Sequence, residues 1–206
     1  MNKFFITGIG TDVGKTVVSA IVVEALKADY WKPIQAGELT HSDIHSVEEL
    51  ISNSRSRMHT HRYALKTPMS PHAAADIDGV QIELSAMKEP ETKNNLVIEG
   101  AGGLLVPINE QDTILDMIQD DYKVIVVSRH YLGSINHTLL TLSQLRSKGV
   151  EVSGIVFNGE EHPSTEAIIL KMGQVQEIGR IDQELVLDKK VISKYAQLFK
   201  SRLEAL

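Results

Sequence analysis

The chain has no cysteine in its 206 residues. That absence excludes a disulfide scaffold, a thiolate metal site and a cysteine nucleophile, so any catalysis must use other groups. Positive charge is also in deficit: 21 Lys and Arg stand against 27 Asp and Glu, a formal net charge of -6. No basic footprint for nucleic acid results, and small-molecule chemistry is the expectation. Long apolar runs are missing too. The N-terminal "MNKFFITGIG" reaches glycines and Asp12 too soon for a signal peptide, and no later stretch approaches membrane-spanning length. The expected setting is the cytoplasm, with no membrane partner, and the length suits one domain spanning 1–206.

What is present is an alternation of short apolar runs with helical patterns. Lys3–Thr7, Asn95–Glu99, Lys123–Ser128, Val152–Asn158 and Val175–Ile178 read as strands whose continuous hydrophobicity suits burial on both faces. Thr16–Ala28, Asp43–Asn53, Ser134–Lys148, Ser164–Met172 and Lys189–Ala205 carry apolar residues at helical spacing. The alternation predicts an α/β fold, a doubly wound and mainly parallel sheet with helices on both faces. Ligands of such sheets bind beyond the carboxyl ends of the strands, so strand ends are where chemistry is sought. Arg55–Glu91, with Pro68, Pro71 and Pro90, reads as the least regular stretch, expected to cover part of the site or an edge of the domain, and its His59 and His61 read as solvated loop residues.

Three strand ends carry suitable groups. "TGIGTDVGKT" runs from the first strand into Gly14-Lys15-Thr16 at a helix start, where free N–H groups and the helix dipole favour phosphate. The usual phosphate-binding loop has a glycine where Ile9 stands, with Gly8 and Gly10 on either side. Glu99 closes the strand "NLVIE" before Gly100, Gly102 and Gly103, where a carboxylate can complete the shell of a magnesium ion that the Thr16 hydroxyl also binds. In "YWKPIQAG", Pro33 holds Lys32 extended, and Asp43 follows Ser42 at a helix opening. Taken singly, these are also a glycine-rich turn, a surface cation and an N-cap. Asn158 ends "SGIVFN", where its amide can donate to and accept from adenine or form a turn with Gly159. His137 reads as a helix-terminal or core histidine rather than a general base.

The ordered set "TGIGTDVGKT", "KPIQAG", "HSD", "SPHAA", "IEGAGGLLVPI", "LGSINHTLLTL" and "GIVFN" resembles the dethiobiotin synthase family to about residue 160. That family's loop, G-T-D-T-x-V-G-K-T, also lacks the standard first glycine. The resemblance implies a P-loop NTPase-like fold and ATP-dependent ring closure on 7,8-diaminopelargonate with carbon dioxide, through a carbamate and a carbamic-phosphoric anhydride. It implies Lys15 and Lys32 as catalytic cations, with Thr16, Asp43 and Glu99 on Mg2+. ATP would meet Asp12, Val13, Gly14, Lys15, Thr16, Val17, Asp43, Glu99, Gly100, Ala101, Gly102 and Asn158. The diamine would meet Thr11, Lys32, Ala36 and Ser70, with its carboxylate on Gly133, Ser134, Ile135 and Asn136 of the other subunit of a homodimer. Gly10 and Ala36 depart from the family's aspartate and hydroxyl residue, and "EIGRIDQ" lacks the family's proline near Ile181. The rival expectation is a nucleotide switch or partitioning ATPase on the same core.

Overall fold

Alternate residues of the apolar runs leave opposite faces of one sheet and are buried on both. In the computed structural model, which describes residues 1–206, the strands and α-helices run β1 (Lys3–Gly8), α1 (Lys15–Leu26), β2 (Asp29–Trp31), β3 (Ile34–Ala36), α2 (Asp43–Leu50), β4 (Met58–His59), β5 (Tyr63–Leu65), α3 (Pro71–Asp78), β6 (Leu96–Glu99), β7 (Tyr122–Arg129), α4 (Ser134–Ser147), β8 (Val152–Asn158), α5 (Pro163–Gly173), β9 (Glu177–Ile181) and α6 (Lys189–Glu204). The main sheet has the order β4-β2-β6-β1-β7-β8-β9, and every pairing in it is parallel. A separate parallel ribbon pairs β3 with β5.

The two faces explain why the strands lack polar alternation. Phe4, Ile6, Val97, Ile125, Val127 and Val156 pack with α1, α2 and α6 through residues such as Ile21, Val47, Tyr195 and Phe199. Phe5, Ile98, Val124, Val126, Ile155 and Phe157 face the other way, toward Ala74 of α3, Leu142 and Leu145 of α4 and Ile169 of α5. The middles of the central strands are therefore apolar on both faces, as a doubly wound fold requires.

All five expected strands and all five expected helices form, with ends shifted by a few residues. The stretch 55–91 is mostly irregular, as expected, and its residues 68–71 line a cavity at the strand ends, but short elements interrupt it. That stretch contains β4, β5 and α3. Its strands have two and three residues, too short to display a period, and their partners are distant in sequence. Helix α3 begins with Pro71 in its first turn and ends at Gly79 in the left-handed region. Pro71 therefore marks a helix start, whereas Pro68 and Pro90 lie in loops. Both β2 and β3 also escape the apolar pattern at three residues each.

Candidate functional site

The loop between β1 and α1 is shaped by contacts only glycine permits. A Cβ on Gly8 would stand 2.6 Å from Val13 Cγ2, and one on Gly14, whose φ is 98°, would stand 2.3 Å from Asn158 Nδ2. Helix α1 opens with no side-chain cap and no acidic residue in its first turn, so its terminal N–H groups and dipole are left for an anion. Lys15 is buried and its Nζ donates to the Gly10 carbonyl at 2.8 Å. Burial lowers its pKa to about 8, against the opposing pull of Glu99.

At the next residue, Thr16 meets two carboxylates, one from the first turn of α2 and one from the end of β6. Its Oγ1 lies 3.0 Å from Asp43 Oδ1 and 3.0 Å from Glu99 Oε1. Three hard oxygens from three separate elements thus converge on one point. A divalent cation satisfies such a set, and two carboxylates with a hydroxyl fit Mg2+, which keeps further positions for water and phosphate. The ammonium of Lys32 spans the same carboxylates, bonded to Asp43 Oδ2 and lying 3.0 Å from Glu99 Oε1. Burial works against the Lys32 charge, but Glu99 and Asp43 outweigh it and raise the pKa. Burial likewise opposes the Asp43 charge, and Lys32 outweighs it and holds that carboxyl low.

Residues outside the sequence motifs hold this node in place. Glu99, whose side chain is 0% exposed, has its second oxygen taken by Ser19 Oγ at 2.7 Å and Tyr30 Oη at 2.9 Å. Ser19 lies three residues after Thr16 and so on the same helix face, a spacing legible in sequence. Burial and then the Glu99 charge push the Tyr30 phenol well above its usual range. His61 is not a solvated histidine: its Nδ1 lies 2.8 Å from the Lys32 carbonyl and its Nε2 3.3 Å from Ser42 Oγ. His59 Nε2 lies 3.2 Å from Asp29 Oδ2. Both expectations of solvent exposure are therefore overturned, because β4 and β5 carry these rings back against the β2 exit.

A cavity of about 760 Å³ collects Thr11, Asp12, Gly14, Lys15, Thr16, Val17, Lys32, Ala36, Asp43, Ser70, Glu99, Ala101 and Gly102, together with Glu38. A second, of about 480 Å³, shares Asp12, Gly14 and Val17 with it and adds Arg129, His130, Asn158 and Ile181. Asn158 reaches back to the loop, its Nδ2 donating to the Val13 carbonyl at 2.8 Å. Val13 itself is buried. Gly100 lines neither cavity, and its N–H is spent on the Ile6 carbonyl at 3.0 Å. Gly133, Ser134, Ile135 and Asn136 also line neither. They sit at the start of α4, with Gly133 and Asn136 exposed and Ser134 buried. A hollow of similar size, about 780 Å³, between α3 and the Ile108–Asp112 turn holds none of the predicted site residues.

Solved structures share this architecture at identities that speak to fold alone. The septum site-determining protein MinD of Pyrococcus horikoshii, complexed with Mg-ADP, matches with a TM-score of 0.59 at 13% identity, covering 98% of this chain and 95% of its own. A plasmid partition protein from Borrelia burgdorferi gives a TM-score of 0.60 at 13% identity over 100% of both chains. The AAA domain family matches residues 2–191. Much nearer in sequence is the ATP-dependent dethiobiotin synthetase BioD of Christiangramia forsetii, 58% identical over 98% of this chain and 97% of that protein. Proteins of the same name from Cytophaga hutchinsonii and Chlamydia pneumoniae are 50% and 44% identical, over 95% and 97% of this chain and 96% and 90% of theirs. With its phosphate loop, its paired carboxylates and this near full-length kinship, the chain belongs to the ATP-dependent dethiobiotin synthetase family.

Proposed function

We propose that this chain closes the cyclic urea of dethiobiotin. Carbon dioxide adds to one amine of 7,8-diaminopelargonate as a carbamate, and a carbamate oxygen attacks the γ-phosphorus of ATP, breaking its bond to ADP. The second amine then attacks the carbon of the carbamic-phosphoric anhydride, phosphate leaves, and the amine gives up its proton as the ring closes. The observation that carries this reading is the placement of Lys15 and Lys32 in one cavity with Thr16, Asp43 and Glu99. Two anions, a carbamate and a triphosphate, must meet there, and fixed cations offset their repulsion where charge develops. Lys15, beside the helix start, would hold the phosphate. Lys32, held by two carboxylates, would face the carbamate and the transferring phosphoryl group. Mg2+ on Thr16, Asp43 and Glu99 would neutralise phosphate oxygens. Asn158, at the mouth of the second cavity, would take the adenine.

The proposed working unit is a homodimer in which the α4 start of one subunit receives the diamine's carboxylate in the site of the other. Two features support it. The α4 N-terminus is open, and the apolar Leu132 beside it is fully exposed, with Tyr131 and Ile135 at 44% and 38%. No helix of the chain is long and apolar enough to cross a membrane. The test is phosphate release from MgATP with and without diamine and bicarbonate. Strong dependence on the diamine, with dethiobiotin formed, supports the reading, and indifference to it overturns it.

A further inference from the structure

Four carboxylates line the main cavity, and two of them are committed: Asp43 and Glu99 to Lys32 and Thr16. Asp12 and Glu38 make no side-chain hydrogen bond or ion pair. Asp12 lies in the phosphate loop and lines both cavities. Glu38 lines only the main one, on the wall that also includes Ala36, Met69 and Ser70.

The backbone under Glu38 is built with care. Glu38 has φ of 53° and follows Gly37 at 76°, two successive left-handed residues, a conformation natural to glycine and costly to glutamate. Gly37 is pinned: its N–H bonds the Leu65 carbonyl at 2.9 Å, its carbonyl accepts from Gln35 Nε2 at 3.1 Å, and a Cβ on it would stand 2.6 Å from Pro68. The Glu38 carbonyl in turn accepts from the His41 N–H at 3.0 Å. Turn geometry alone would be better served by glycine at 38. Glu38 thus combines a left-handed backbone with a carboxylate that lines a cavity and has no partner.

We infer that Glu38 is a specificity-determining residue that binds an ammonium group of the diamine substrate. The inference rests on the function proposed above and deepens it. A carboxylate without a counter-charge, beside Ala36 where no hydroxyl is offered, is the group that distinguishes a cationic diamine from a neutral or anionic competitor.

Two variants test it in steady-state phosphate release with 7,8-diaminopelargonate, bicarbonate and MgATP. Glu38→Gln keeps the size and removes the charge. Glu38→Gly removes the side chain and relieves the left-handed backbone, so it keeps or raises the melting temperature and decides the matter if the first variant folds poorly. The expected result is a rise of about tenfold in KM for the diamine in both, as for loss of one charge-assisted contact, with KM for ATP within about twofold. An unchanged diamine KM in Glu38→Gly, or an equal rise in both KM values, overturns the inference while the diamine-dependent wild-type activity stands. A wild type with no diamine-dependent release removes both readings together.

Discussion

Replacing Glu99 with glutamine exposes how much of the site is also architecture. The carboxylate is fully buried, and all four of its partners donate: Lys32 and Thr16 to one oxygen at 3.0 Å each, Ser19 and Tyr30 to the other at 2.7 and 2.9 Å. Glutamine can keep one oxygen as an acceptor, but its NH2 must either face the Lys32 ammonium, which can only donate, or turn the Ser19 and Tyr30 hydroxyls from donors into acceptors. Breaking a buried ion pair typically costs about 3 to 5 kcal/mol. Here Lys32 retains Asp43, so the cost falls at or below the bottom of that range, and one mismatched buried group at about 1 to 3 kcal/mol sets the scale. The expected loss is therefore about 2 to 3 kcal/mol, read as a lower urea midpoint at unchanged slope in metal-free protein. Tyr30→Phe, which removes a single donor to the same carboxylate, is expected to lose about 1.5 kcal/mol. Activity at limiting magnesium should fall in Glu99→Gln as well. A metal-free variant within about 0.5 kcal/mol of the wild type would refute the donor accounting, since that is the range of a neutral surface change.

Two further outcomes follow from other parts of the fold. If sites are shared across a dimer, a Lys15→Ala subunit mixed with one disabled at Asn136 should recover about a quarter of wild-type activity, because half the dimers are mixed and each holds one intact site of two; exchange of subunits without recovery sinks the shared site. Asp29 is buried, and although burial opposes its charge, bonds from Thr92, the Arg57 N–H, His59 and Asn94 hold its pKa below 3.8. Its stabilisation is thus present above that value and lost as pH falls through the depressed one, so the gap in urea stability between wild type and Asp29→Asn should be full at neutral pH and narrow in strong acid. A gap independent of pH would contradict the assignment.

The sequence made the long strands and the phosphate loop readable because their signals are local. "KVIVVS" declares a buried strand by itself, and Gly14-Lys15-Thr16 needs only its neighbours. Glu99 and Asp43 were readable as site residues near Thr16 because each closes or opens an element beside a motif. What escaped depends on contacts between distant residues. Tyr30 matters because β2 runs beside β6, which its three residues do not announce. His61 is fixed by a carbonyl 29 residues away, and Gly100 loses its N–H to the strand next door. Glu38 carried no motif at all, and its interest lies in a backbone angle.

The strand order has a consequence for how the chain acquires its site. β1 is flanked only by β6 and β7, so Lys3 finds its partners at Leu96 and Tyr122. β2 reaches the sheet through β6. Until β6 emerges during synthesis, the phosphate loop hangs from a strand with no neighbour, and the Lys32 ammonium has lost one of its two counter-charges. These pairings close long loops and form late. The first half of the chain therefore carries the nucleotide signature without the means to hold it. Arrival of the short β6 strand joins β2 and β4 to β1 and delivers Glu99 to Thr16 and Lys32 in the same step.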